Sequence, residues 1–358
     1  MSLEWASLIT RSLSGEGLSR EEAQAILTLP DDQVPEALQA AFEVRKVYWG
    51  KRVKICVLQN ARSGLCPEDC HYCSQSSVSK AKIDKYRLLP VEELVDGARR
   101  AFEAGAKRYC MVTSGRGPTD ADIAHFCETA RTITQRYPLE LCVSLGIMTE
   151  AQARQLRASG IGWVNHNLNT SERYYATICT THTYQDRVDT LLNVKKAGLQ
   201  TCSGGIVGMG ETDEDILDML YAIRSLQIDS VPINFLHPIG GTPMESYRFL
   251  NPLKCLKVLC VTRFLNPASD IRAAGGREVN LRSVQALVLY PANSIFVEGY
   301  LTTSGQQAQE AQQMIRDLGF EIEPQPVVSA PGGVSEANNG GEVEHGGGEA
   351  GQGTGRLS

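Results

Sequence analysis

Eight short runs rich in Val, Ile, Leu and Cys alternate along this chain with amphipathic segments, and that alternation restricts the fold more than any other feature. The runs are 53–59, 108–113, 140–145, 163–168, 200–207, 230–236, 270–274 and 294–298. Between and after them, 91–104, 121–136, 150–158, 184–197, 213–226, 253–264, 281–289 and 306–318 repeat their apolar residues at helical spacing. Strands separated by helices pair in parallel through βαβ units. Eight such units predict an α/β fold, a (β/α)8 barrel over residues 51–324, with an open doubly wound sheet as the alternative. In a barrel, chemistry belongs at the C-terminal strand ends and the loops that follow them.

Ser19 with Glu22 forms a capping box ahead of one helix, and 35–48, closed by Gly50, forms a second. Together they predict an N-terminal helical cap over 1–50. Residues 325–358 hold 10 of the 33 glycines and no aromatic residue, so a disordered tail is expected there. Such a composition cannot bury enough apolar surface to offset the entropy of ordering it. A net charge of −6 argues against a basic surface for nucleic acid or an anionic membrane. Residues 1–17 lack the basic start and unbroken apolar run of a signal peptide, and no stretch is long and apolar enough to span a bilayer, so a cytoplasmic protein is expected. In a reducing compartment, 11 cysteines point to metal ligation, catalysis or packing and not to disulfides.

Three of those thiols share one loop directly after the first run, in Ser63-Gly64-Leu65-Cys66-Pro67-Glu68-Asp69-Cys70-His71-Tyr72-Cys73. The spacing C-x3-C-x2-C brings three thiolates to one metal centre. A structural zinc needs four closed ligands, His71 is awkwardly placed between its neighbours, and no second C-x2-C pair exists. On a 4Fe-4S cluster, three ligands leave one iron open to a small molecule. The motif, with Tyr72 at its aromatic position, resembles the hallmark of the radical S-adenosylmethionine enzymes. That resemblance implies that the open iron chelates the amino and carboxylate groups of S-adenosylmethionine, and that reduction releases a 5′-deoxyadenosyl radical able to take hydrogen from unactivated carbon. The run Gly204-Gly205-Ile206-Val207-Gly208-Met209-Gly210-Glu211 fits the G-x-I-x-G-x-x-E pattern the same enzymes carry on their fifth strand. Cofactor contacts at Tyr72, Gly204, Ile206, Gly208 and Glu211 are therefore implied.

Cys110, Cys142 and Cys202 lie on the second, third and fifth runs. Alternation lets each point into a barrel, although a single strand cysteine ordinarily reads as a small core hydrophobe. Asn165, Asn167 and Asn169 recur at period two, and amides sharing an inward face would serve sugar hydroxyls or a urea ring. His166 falls on the other face and, like His125, His182 and His237, reads as structural. Cys56, Cys127, Cys179, Cys255 and Cys260 read as packing.

From about 44 to 320 the chain is similar to the biotin synthase family, through CPEDCHYCSQS, YCMVTSGRG, NHNLNTSERYY, TTHTYQDRVDTL, CSGGIVGMGET, SVPINFLHP, GGREVNLRS and ANSIF. That resemblance implies that Cys110, Cys142, Cys202 and Arg272 hold a sulfur-donating 2Fe-2S cluster. It also implies that Asn165, Asn167 and Asn169 contact the cofactor's ribose, and that Asn167 and Asn234 meet the substrate, dethiobiotin. Residue chemistry alone reads Arg272 as an ion-pair partner, because a guanidinium stays protonated and has no free lone pair. Family members often carry aspartate where Asn169 stands and tyrosine where Val164 stands, which makes Asn167 the firmer ribose contact. Two S-adenosylmethionine molecules per biotin, an external electron donor such as flavodoxin or ferredoxin, cluster-assembly machinery and a homodimer are further implications. The competing readings are another radical enzyme of similar barrel, acting on an amino acid or in metal-cofactor assembly, and a non-catalytic metal-binding protein. The four inner residues argue against the first, and the glycine and asparagine strands against the second.

Overall fold

In the computed structural model, which describes residues 3–325, all eight expected runs become strands of one sheet. Strands β1 (Arg52–Arg62), β2 (Arg108–Thr113), β3 (Glu140–Ser144), β4 (Trp163–Asn165), β5 (Gln200–Cys202), β6 (Gly205–Val207), β7 (Ser230–Phe235), β8 (Asp270–Ala273) and β9 (Ser294–Phe296) pair in parallel. The β9 strand returns to β1 through Lys54–Ser294, Ile55–Ile295 and Cys56–Phe296, so the sheet closes on itself. The fifth stave is broken: β5 and β6 both pair with β7, separated by Ser203 and Gly204. A short β10 (Glu321–Ile322) extends the lower end of β1. The stretch expected to form a tail lies, from residue 326 on, outside the described residues.

Period-two alternation sorts each stave. Along β1, Val53, Ile55 and Val57 are buried outward against the helices, while Lys54, Cys56, Leu58 and Asn60 face the lumen. Register then stacks the inner residues in layers: Cys110 stands beside Leu58 and Cys142, Asn165 beside Cys202, and Arg272 beside Pro232 and Ser294.

The helices between strands mostly fall where their periodicity puts them, and several begin with Thr-x-x-Asp or Thr-x-x-Gln capping boxes, at Thr119, Thr149, Thr183 and Thr212. One expectation fails at 281–289. A short helix Arg277–Leu281 ends at Arg282, whose φ of +51° breaks the turn, and a 3-10 segment Arg282–Leu289 follows. Two helices were not read from the sequence, Trp5–Ser14 and Glu172–Ile178. Helices α1 (Trp5–Ser14), α2 (Arg20–Leu27) and α3 (Val34–Trp49) pack outside the barrel, against the helices Asp213–Ser225 and Pro252–Leu265. Trp5 stacks on Phe264 at 6.2 Å and Ser12 Oγ donates to the Phe264 carbonyl at 2.7 Å.

Candidate active site

A cavity of about 390 Å³ opens at the C-terminal strand ends and runs down into the lumen. Its rim carries Cys66, Cys70, Cys73 and Tyr72 from the loop after β1, and its walls carry Asn165, Asn167, Asn169 and Asn234. Cys110, Cys142, Cys202 and Arg272 line its depth. The two groups of three thiols, far apart in sequence, thus share one enclosed space. All eleven cysteines are free thiols.

The rim loop is anchored at both ends: Ser63 bridges Tyr86, and the His71 amide donates to the Ile178 carbonyl at 2.9 Å. Burial pushes the Cys73 thiol up to about 11. The Cys70 thiol, which donates to Cys179 Sγ at 3.7 Å, is raised by that contact and by burial. Three loop thiols at the mouth of an open cavity suit a cluster that keeps one iron for a small molecule.

Deeper down, Cys110 Sγ lies 3.2 Å from Cys142 Sγ, and Arg272 Nη1 lies 3.7 Å from Cys202 Sγ. Arg272 is also tied to Ser294 Oγ at 2.9 Å and to Asp270 at 3.2 Å. Burial works against the charge on Arg272, and Cys56, Asp270 and the inner thiols facing it outweigh that and raise its pKa. Beneath, Asp270 also meets Arg108 at 3.3 Å and Lys54 at 3.9 Å, and the Arg108 guanidinium lies 3.5 Å over the Trp163 ring. Three buried thiols around a cationic floor form a donor set that fits an anionic iron–sulfur group.

Between the two thiol groups Asn165, Asn167 and Asn169 line one wall, but of these three only Asn165 does so as part of a strand, because β4 ends there. Asn169 adopts φ +72°, a left-handed conformation asparagine tolerates, and its amide donates to Tyr72 Oη at 2.8 Å. Asn165 Nδ2 reaches Cys202 Sγ at 3.3 Å and Asn167 Oδ1 at 3.2 Å, and Asn167 Oδ1 accepts from the Gly204 amide at 3.1 Å. Asn234 is held from both sides, by the Gly205 carbonyl at 3.1 Å and the Gly275 amide at 2.9 Å. Ile206 lines the cavity; Gly204, Gly208 and Glu211 do not, and act on the shape of the loop. Glu211 accepts from the amides of Gly208 at 2.6 Å and Met209 at 2.7 Å. Burial raises its pKa against those bonds.

Several residues that sequence reading assigned to packing belong to the site. Cys56 faces the lumen, 3.5 Å from the Ser294 hydroxyl that also binds Arg272. His166 lines the cavity with Nε2 buried and unpartnered, and burial holds its pKa well below the ordinary histidine value. His182 Nδ1 donates to Glu68 at 2.6 Å, and Cys179 Sγ lies 3.2 Å from that nitrogen. Arg187, which no motif singled out, lies half-buried beside the rim: it bonds Tyr175 Oη, the Asn167 carbonyl at 2.8 Å and His182 Nε2 at 2.8 Å. Burial disfavours its charge, but Tyr72 and Tyr175 beside it raise its pKa above the usual arginine value, so a full cation faces the cavity. Only its place in TTHTYQDRVDTL could have flagged it.

Two regions match described families: residues 62–222 match the Radical SAM superfamily, and residues 232–321 the Biotin and Thiamin Synthesis associated domain. The biotin synthase of Halalkalibacterium halodurans is 50% identical over 321 residues, 90% of this chain and 96% of that protein. The biotin synthase of Bacillus subtilis strain 168 is 48% identical over 320 residues, 89% of this chain and 96% of that protein. Among solved structures, methylornithine synthase superposes with a TM-score of 0.78 at 21% identity, covering 89% of this chain and 98% of that one. The FeFe-hydrogenase maturase HydG from Carboxydothermus hydrogenoformans superposes with 0.75 at 19% identity, covering 89% and 79%. These two share the fold.

Proposed function

The chain belongs to the biotin synthase family of radical S-adenosylmethionine enzymes, and from that premise we propose that it inserts sulfur into dethiobiotin with two iron–sulfur clusters. A 4Fe-4S cluster sits on Cys66, Cys70 and Cys73, and a 2Fe-2S cluster on Cys110, Cys142, Cys202 and Arg272. The observation that carries this reading is the single cavity that joins both groups of three thiols, with asparagine amides between them. When bound, the clusters and S-adenosylmethionine supply a deoxyadenosyl radical that removes hydrogen from the substrate carbons, and the sulfur that closes the ring.

The chain's own residues bind, orient and shield. Arg187, a half-buried cation facing the rim, pairs with the cofactor's carboxylate. Asn167 and Asn169 meet the ribose, and Asn234, pinned by Gly205 and Gly275, presents its amide to the ureido ring. Leu58, Val112, Ile206 and Phe296 give the cavity apolar walls that keep water from the reacting carbons. Placement of this kind supplies rate by holding the target carbon against the radical, while the cofactors carry the difficult chemistry. The same reading includes an external one-electron donor such as flavodoxin or ferredoxin, cluster-assembly machinery, a homodimer and a cytoplasmic location. Eleven free thiols suit such a reducing compartment.

The test is anaerobic reconstitution with iron and sulfide, then addition of S-adenosylmethionine, reductant and dethiobiotin, with mass analysis of products. Deoxyadenosine and biotin are expected together. No deoxyadenosine would overturn the radical assignment, and deoxyadenosine without biotin would move the substrate to another class. Cys202→Ala is expected to keep forming deoxyadenosine while biotin falls below detection; normal biotin from that variant would overturn the division of labour between the two thiol groups.

A further inference from the structure

Cys179 and His182 have no part in the proposed reaction, yet both stand against one of the loop cysteines, Cys70. Cys179 follows the helix Glu172–Ile178, and its Sγ lies 3.7 Å from Cys70 Sγ and 3.2 Å from His182 Nδ1. All three residues are buried, and their donor atoms lie within 4.8 Å of one another. A tetrahedral zinc with bonds of about 2.3 Å to sulfur and 2.0 Å to nitrogen separates two sulfurs by roughly 3.8 Å, and sulfur from nitrogen by roughly 3.5 Å. The three side chains already stand near those spacings. A fourth donor is at hand: the Glu68 carboxylate lies 2.6 Å from His182 Nδ1 and is steadied by the Thr181 hydroxyl at 2.6 Å.

We propose that Cys70, Cys179 and His182, with Glu68 as the fourth ligand, bind one thiophilic divalent cation of the zinc class when the 4Fe-4S cluster is absent, and that the two occupants exclude each other because both require Cys70. The proposal rests on the reading that Cys66, Cys70 and Cys73 hold that cluster. Binding takes both sulfurs as thiolates, and the proton that the Cys70 thiol donates to Cys179 Sγ leaves to solvent. It also displaces the proton that His182 Nδ1 donates to Glu68; the imidazole's proton then sits on Nε2, and Arg187 Nη2 turns away from that atom, still held through Tyr175 Oη and the Asn167 carbonyl. Two thiolates, one carboxylate and a divalent cation leave one negative charge, which the adjacent Arg187 guanidinium balances.

The test uses the cluster-free full chain and zinc, titrated against a chromogenic chelator. One zinc per chain is expected for the wild type, Cys66→Ser and Cys73→Ser. Affinity is expected to fall about 100-fold or more in Cys70→Ser, Cys179→Val and His182→Asn, since each removes a ligand. Far-ultraviolet circular dichroism, together with the melting temperature, identifies any variant that has lost its fold, and Cys179→Ser then replaces Cys179→Val. Zinc is also expected to slow cluster reconstitution, followed by visible absorption, in the wild type but not in Cys179→Val. Wild-type affinity in Cys179→Val, or equal weakening in Cys66→Ser, would overturn the proposal, the latter by placing zinc on the loop triplet. If the wild type forms no cluster even without zinc, the functional reading fails instead, whatever the zinc titration shows.

Discussion

Asp270 is a buried carboxylate surrounded by three cations, Arg272 at 3.2 Å, Arg108 at 3.3 Å and Lys54 at 3.9 Å. Burial alone would raise its pKa, but Arg272, Arg108 and Lys54 outweigh it and hold the group ionised. Replacing one partner of a buried ion network leaves the others uncompensated, at about 3–5 kcal/mol. Asp270→Asn should therefore lose stability on that scale in denaturant unfolding; a loss under about 1 kcal/mol would mean that water reaches the floor of the barrel. His166 acts in the opposite sense. Its pKa is depressed in the folded chain, chiefly by burial and then by the nearby Arg187 charge, so the unfolded chain takes up a proton near pH 6.5 that the folded chain refuses. Stability should fall as pH drops below about 6.5, by up to about 1.4 kcal/mol per pH unit. In His166→Asn that slope should be shallower by about one proton, read from unfolding free energies between pH 7.5 and 5.5. At this scale the rim triplet is readable because its spacing is local, whereas Cys56, Cys179 and Arg187 are not. Each is an ordinary residue until the fold brings a partner to it.

The break between β5 and β6 shows what a single glycine does for an element. A Cβ on Gly204 would lie 1.8 Å from the Pro232 carbonyl oxygen on β7, a backbone atom that cannot turn aside. The close approach lets the stave step across Ser203 and Gly204 while both halves keep their pairing with β7. Gly204→Ala is expected to cost about 3 kcal/mol or more, and to weaken S-adenosylmethionine binding through the displaced Ile206. Thermal unfolding and equilibrium dialysis check the two parts, and a variant with wild-type melting temperature would show that the strands can part there. The eight staves and most helices follow from period and punctuation. The early end of β4 and the left-handed Asn169 do not, because they arise where the chain turns toward Tyr72 and Gly204, contacts set by distant residues.

For the whole molecule, alternation of strand and helix implies a parallel sheet but leaves closure open, since an open sheet is written in the same pattern. Closure is what brings Arg108 on β2 to Asp270 on β8, at 3.3 Å, and so what sets a shared charged floor beneath the three strand cysteines. The N-terminal helices carry a further consequence of the assembled fold. Other barrel helices are apolar on one face, but in Pro252–Leu265 every residue from Cys255 to Leu265 is buried, one side against the barrel and the other beneath α1, α2 and α3. Lys257, almost wholly covered, has its carboxylate partner Asp31 in the N-terminal segment, at 2.8 Å. Removing residues 1–49 would uncover Phe264 and its neighbours as a contiguous apolar patch and leave Lys257 without that counter-charge. The shortened chain is expected to be recovered mostly as aggregate, and its soluble fraction to bind a hydrophobic dye strongly, as measured by light scattering and dye fluorescence beside the full chain. A soluble monomer with the full chain's melting temperature would instead show that the barrel closes its own outer surface, and that the three helices add nothing to its stability.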